Sequence, residues 1–194
     1  MRCNLNTAKF QFDVLCFIVM ACEGGAEIQR ECTEFVKING TLLQAQLYVS
    51  KSGRLPCKAV IHAVGPIWSS GQKDEKNLLY ETVFNILEEA EHRSFTSVAL
   101  PAISTGLYRF PLQLATRIIL DAVKSFVKQA SPTQKLREVH IIDQSSDVIS
   151  QFCETAATVF EDVDDVRIIH VSASDASSNE VAARPLAQPS RPRE

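Results

Sequence analysis

The sequence predicts an α/β domain with a largely parallel sheet covered by helices on both faces. Strand-like runs and helix-period segments alternate three times from Lys58 onward, and the strand runs are β-branched and mostly apolar. With 194 residues, 45% hydrophobic and 22% charged, the chain has material for one globular core. The formal net charge of −3 excludes an overall basic field that would draw the protein onto nucleic acid or an anionic membrane. Any bound anion must therefore be gripped locally.

Arg2 and Lys9 precede an apolar run, Val14 to Cys22, that superficially imitates a signal peptide. Asp13 borders the run, and a helix needs ~20 residues to cross a bilayer, so a buried strand is preferred. In AEIQRECTEFVK, Ile28, Cys32, Phe35 and Val36 fall at helical spacing, and Asn39-Gly40 supplies a stop. A polar, glycine-containing stretch, KSGRLPC, leads into the strand Lys58 to Val64, broken by Gly65-Pro66.

A confident helical period follows over Asp74 to His92, with Leu78, Leu79, Val83, Phe84, Ile86, Leu87 and Ala90 on one face. Thr96 to Ile103 is the next strand. Pro111 to Lys128 is the next helix, its buried stripe Leu114, Ala115, Ile118, Ile119, Ala122, Val123 and Phe126, with Pro111 in the first turn, where its missing N–H costs nothing. Glu138 to Asp143 is a third strand; Asp147 is placed to cap a helix that turns Val148, Ile149, Phe152, Ala156, Val159 and Phe160 inward. Val166 to Val171 suits a last strand. Beyond Ser172 the Ser, Ala and Pro content predicts a tail or linker.

Ligands in such folds sit at the carboxyl ends of strands, which directs attention to AISTGLYRFPL, Ala102 to Leu112. Small residues let the backbone approach a phosphate, Gly106 tolerates positive φ, and the following helix terminus carries roughly +0.5 charge. Ser104 and Thr105 add hydroxyl donors. Tyr108 and Phe110 alternate, so one aromatic faces a ligand and the other anchors the loop; Tyr108 is assigned outward. A plain strand-to-helix connection without a ligand fits the composition equally well.

LPCKAVIHAVGPIW (Leu55 to Trp68), followed about thirty residues later by VALPAISTGLYRFPL (Val98 to Leu112), resembles the macro domain, especially those of the multi-macro-domain poly(ADP-ribose) polymerases. The resemblance extends from about Gly24 to Phe160. It implies a three-layer α/β/α sandwich with a mixed, largely parallel sheet that binds the diphosphate of ADP-ribose between two loops. By the same resemblance Ser104, Thr105, Gly106, Leu107 and Tyr108 form the second of those loops, with Tyr108 near the distal ribose. Arg109 stands where many members carry glycine, and either contacts a phosphate or lies in solvent.

The family's opening strand with its adenine-binding Asp, its Asn-Ala-Ala-Asn-like element and its Gly-Gly-Gly-Val loop are not recognisable here. Gly24-Gly25 is read as a helix end, and the domain is expected to be incomplete at its N-terminus: a non-matching segment 1–22, a truncated macro domain over 23–163, and a last strand with tail over 164–194. Asp13 either imitates the adenine aspartate or is a strand-edge residue. Loss of a central strand and helix would expose apolar surface.

Six cysteines, at 3, 16, 22, 32, 57 and 153, form no CxxC pair and no metal-ligand spacing, which speaks against zinc and for reduced thiols of a nuclear or cytoplasmic protein. His62 and His140 lie in strand runs and read as core histidines. The carboxylates Glu88, Glu89, Glu91, Glu161, Asp162, Asp164 and Asp165 read as solvated, and Trp68, which can stack on a base or cap the sheet, is assigned the structural role. No catalytic residue and no cofactor is assigned. The expected function is binding of free or protein-linked ADP-ribose, weakened by loss of the first loop, in a fragment or variant form of a macro-domain ADP-ribosyltransferase-family protein. NAD would serve only a longer parent, and neither nucleic acid nor membrane is an expected partner. The alternatives are an interaction fragment without a ligand and an ADP-ribosyl hydrolase, the latter disfavoured because its Asn element is missing.

Overall fold

The computed structural model describes residues 2–3, 12–16, 25–163 and 167–168. In chain order the elements are β1 (Arg2–Cys3), β2 (Phe12–Cys16), α1 (Ala26–Asn39), β3 (Leu47–Lys51), β4 (Cys57–Ala63), α2 (Glu75–His92), β5 (Ser97–Leu100), α3 (Leu112–Lys128), β6 (Glu138–Ile141), α4 (Ser146–Val159) and β7 (Arg167–Ile168). The strands form one sheet in the order β3-β4-β2-β5-β6-β1-β7. All neighbours are parallel except β3, which runs antiparallel to β4 and pairs Tyr48 with His62.

Strand β2 takes the central position: Val14 pairs with Ala59 of β4 on one side and Val98 of β5 on the other. The gap that loss of a central strand would leave in the sheet is thus filled by residues preceding Gly24. The expected strand Val14 to Cys22 begins two residues earlier than its apolar run and is seen to Cys16; residues 17–22, the continuation of β7 and the tail beyond Ser172 lie outside the described residues.

Side chains alternate across the sheet. From β4, Ala59, Ile61 and Ala63 join Val98 and Leu100 of β5 and Val139 and Ile141 of β6 in the main core, under α2, α3 and α4. Leu79, Val83, Ile86, Leu87 and Ala90 of α2 and Ala115, Ile119, Ala122, Val123 and Phe126 of α3 supply the facing stripes, and the helices pack in series, α2 on α3 and α3 on α4. The opposite face of β4 carries His62, which meets Cys32 of α1 at 3.6 Å. Ile28 is the one fully buried side chain of α1; Val36 and Ile38 are exposed, so the apolar spacing that predicts this helix is only partly used.

Several element ends differ from expectation for local reasons. Residues 101–103 leave the ladder, so β5 stops at Leu100. Pro111 precedes the first residue of α3, with an extended ψ of 124° that places it at the cap. Ser145, rather than Asp147, caps α4, its hydroxyl accepting from Val148 N at 3.5 Å. Strand β3 was not anticipated, because only Leu47, Tyr48 and Val49 mark it and no alternation precedes them.

Leu79 is fully buried between α2 and the sheet, whereas Ile38 is 74% exposed. Leu79→Ala is expected to lower the unfolding free energy by about 2–5 kcal/mol, and Ile38→Ala to stay within about 0.5 kcal/mol of wild type, as measured by urea unfolding.

Candidate functional site

The chain leaves β5 at Leu100 and enters α3 at Leu112, and Ala102, Ile103 and Phe110 root this crossing in the core. Between the roots the loop folds on itself. Thr105 N (3.2 Å) and its hydroxyl (2.7 Å) both donate to Ala102 O, Arg109 N donates to Gly106 O (2.9 Å), and Phe110 N donates to Ser104 O (3.0 Å). The left-handed residues of the loop are Ser104 (φ 68°) and Arg109 (φ 54°); Gly106, which tolerates positive φ, does not adopt it. Non-glycine residues in this region carry strain, held here by the surrounding bonds. Gly106 instead contributes room: a Cβ placed on it would meet nothing within 4 Å.

This geometry leaves the amides of Ser104, Gly106, Leu107 and Tyr108 without an acceptor among the described residues. The Ser104 side chain is 6% exposed and its hydroxyl likewise finds no partner there. A buried hydroxyl without a partner is rare inside native proteins, and the loop amides beside it are open to an acceptor from outside the chain. Gly106, Leu107 and Arg109 are exposed, Leu107 at 94%, and Tyr108 is half-buried while Phe110 is sealed in the core. The division of the two aromatics follows their alternate spacing.

The second wall of the loop comes from the segment after β4. A Cβ on Gly65 would lie 2.3 Å from Ser104 Oγ and 2.7 Å from Ile103 Cγ2, so only glycine allows the two segments to approach this closely. Three residues on, Trp68 N donates to Tyr108 O at 2.9 Å and its ring packs at 55° on Phe110, centroids 4.7 Å apart. Trp68 therefore holds the structural role assigned to it. Gly25 sits at the start of α1 with φ 84°, against the Arg54 side chain.

His62 and His140 both lie against side-chain partners within the fold. His62 Nε2 lies 2.9 Å from Ser50 Oγ, and burial holds its pKa below the ordinary value despite the opposing pull of Glu31. His140 is 5% exposed, 3.1 Å from Glu138, and is likewise held low by burial.

Of the carboxylates read as solvated, three have structural partners: Glu89 accepts from Arg93 Nε at 2.6 Å within α2, and two others tie elements together. Glu91 accepts from the amides of Lys135 and Leu136, tying α2 to the approach to β6, and Asp162 pairs with Lys124 and Lys128, whose hydrogen bonds lower its pKa to about 2. Asp164 and Asp165 lie outside the described residues. Glu75, unremarked in the sequence because it opens a helix like any acidic first-turn residue, is 1% exposed. Cys32, Cys57 and Cys153, the cysteines whose side chains are described, are free, and burial raises the pKa of each.

A three-layer α/β/α domain with open loop amides at the carboxyl end of an inner strand belongs to the class of α/β domains whose ligand position, as a rule, is at that end of the sheet. The chain belongs to the macro domain family: residues 18–119 match the family profile. It is 37% identical over 138 residues to human protein mono-ADP-ribosyltransferase PARP14, a match covering 71% of this chain and 8% of that protein. It is 38% identical over 111 residues to an O-acetyl-ADP-ribose deacetylase of Citrobacter rodentium strain ICC168, covering 57% of this chain and 63% of that one. The chain thus spans less than two thirds of the length of either relative. Among solved structures, a point mutant of the Oceanobacillus iheyensis macrodomain with ADPR superposes with a TM-score of 0.74 at 23% identity, covering 81% of this chain and 92% of that one. The ganglioside induced differentiation associated protein 2 macro domain gives 0.63 at 18%, covering 75% and 78%. These likenesses show the fold.

Gly65→Ala forces Ser104 and Ile103 aside, and is expected to cost about 1–3 kcal/mol of stability. Thermal unfolding monitored by circular dichroism checks the loss, with Gly40→Ala, at a helix end with open space around it but φ 80°, as the comparison for backbone strain alone.

Proposed function

We propose that the chain binds ADP-ribose, free or attached to protein, through the loop Ser104, Thr105, Gly106, Leu107, Tyr108 and Arg109, with no cofactor. The observation that carries this reading is the set of unpaired amides at Ser104, Gly106, Leu107 and Tyr108 around an open Gly106. Backbone N–H groups in this arrangement suit a diphosphate, whose oxygens accept several bonds without a lysine. Half-buried Tyr108 offers a ring edge for a ribose, and exposed Arg109 is within the same loop as a further phosphate donor. The solved macrodomain with ADPR and the relatives named for ADP-ribose chemistry agree with this ligand class.

Affinity is expected to be modest. The glycine-rich first loop of the family has no counterpart recognisable in this sequence, and each charge-assisted hydrogen bond so lost is worth about 1.5–3 kcal/mol. Hydrolysis is the second reading, favoured by the deacetylase relatives. The loop itself carries hydroxyls and a guanidinium but neither carboxylate nor imidazole, so it holds and orients rather than transfers protons.

Calorimetry with ADP-ribose, and AMP as control, tests the reading: saturable heat from ADP-ribose well above that from AMP is expected, and none at millimolar ligand refutes it. Gly106→Glu places a carboxylate where a Cβ is sterically free. The variant should stay folded and lose about a hundredfold in affinity through like-charge repulsion. Release of acetate from O-acetyl-ADP-ribose would establish the hydrolase instead.

A further inference from the structure

Glu75 stands in the first turn of α2, 1% exposed, and no cation pairs with it among the described residues. Its charge is met by backbone alone: Oε1 accepts from Ser69 N and Oε2 from Lys73 N, each at 2.7 Å. Burial pushes this carboxyl up, but hydrogen bonds from the amides of Glu75 itself, Lys73, Ser69 and Gly71 outweigh it and hold the group below the ordinary carboxylate value. It is ionised at neutral pH, an internal anion in a ring of amides at a helix N-terminus.

The turn that supplies those amides is strained. Ser70 (φ 60°), Gly71 (φ 74°) and Asp74 (φ 60°) are all left-handed, two of them with side chains that disfavour it. Such a backbone persists only where its surroundings over-determine it, and here the carboxylate bonds do so. Gly71 lies under the Trp68 ring, where an added Cβ would come within 3.3 Å of the indole. Trp68 in turn holds Tyr108 O and Phe110. Two bonded steps thus separate Glu75 from the unpaired loop amides.

We propose that Glu75 is a positioning residue for the ligand loop: its carboxylate locks residues 69–74, which fix Trp68, which sets the orientation of Tyr108 and the free amides beside it. Its effect on affinity rests on the ADP-ribose reading above; its effect on Trp68 does not. The residue touches no ligand position itself.

Trp68 is the only tryptophan of the chain, so its fluorescence reports this linkage directly. In the full chain, Glu75→Gln and Gly71→Ala are each expected to shift Trp68 emission to the red and speed hydrogen exchange of the Trp68 amide. Each should weaken ADP-ribose binding on the order of tenfold while far-UV circular dichroism stays as in wild type. Glu75→Asp, which keeps the charge, should recover part of both effects. Wild-type emission, Trp68 exchange and affinity in either variant overturn the proposal, as does a loss of stability that leaves all three unchanged. Should Glu75→Gln fail to fold, Glu75→Asp, which keeps the charge but shortens the reach to the Ser69 and Lys73 amides, carries the test through a smaller change in the same readouts, because Gly71→Ala also touches the indole directly. If wild type binds no ADP-ribose, the functional reading falls, and Trp68 emission and exchange in the ligand-free variants still decide whether Glu75 positions the loop.

Discussion

The close approach of Gly65 to Ser104 is the contact on which the site depends. It brings the segment leaving β4 against the segment leaving β5, although β2 lies between those strands in the sheet. With the two segments this close, Trp68 N reaches Tyr108 O and the indole packs on Phe110. A side chain at position 65 would meet Ser104 Oγ at 2.3 Å and Ile103 Cγ2 at 2.7 Å, so one of the two walls would have to shift. The two sequence motifs therefore work as one unit, which explains physically why their joint presence is more informative than either alone.

The remainder of the fold makes that contact rigid. Phe110, Ala102 and Ile103 root the loop in the same core as α2 and α3, so the loop cannot relax to pair its own amides without giving up buried apolar area. The strain at Ser104 and Arg109 points the same way: a looser loop would return these residues to ordinary backbone. Stability of the scaffold and readiness of the amides are the same property seen at two scales. The Glu75 turn extends it by one layer, holding the tryptophan that holds the loop.

Much of this was legible in advance where a local signal exists. The helical stripes of α2 and α3, the strands β4, β5 and β6 and the inward Phe110 all follow from spacing and apolar content. The misplaced details share a different cause. Gly106 tolerates left-handed φ by residue type, yet the turn uses that conformation at Ser104 and Arg109, where the bonds from Phe110 and Arg109 fix the direction of the chain. β3 escaped notice because an edge strand of five residues needs little apolar patterning of its own once β4 is present to pair with.

The sequence by itself determined the fold class and the family and singled out the loop, since each is carried by periodicity or by residue types at short spacing in the chain. Only the tertiary structure decided that residues before Gly24 supply a central strand, that Gly65 is required by Ser104, and that Glu75 is buried among amides. These are contacts between segments apart in the chain or set by burial, and an acidic residue in a first helical turn looks the same whether it faces water or a closed ring of N–H groups. Three-dimensional packing alone tells the two apart.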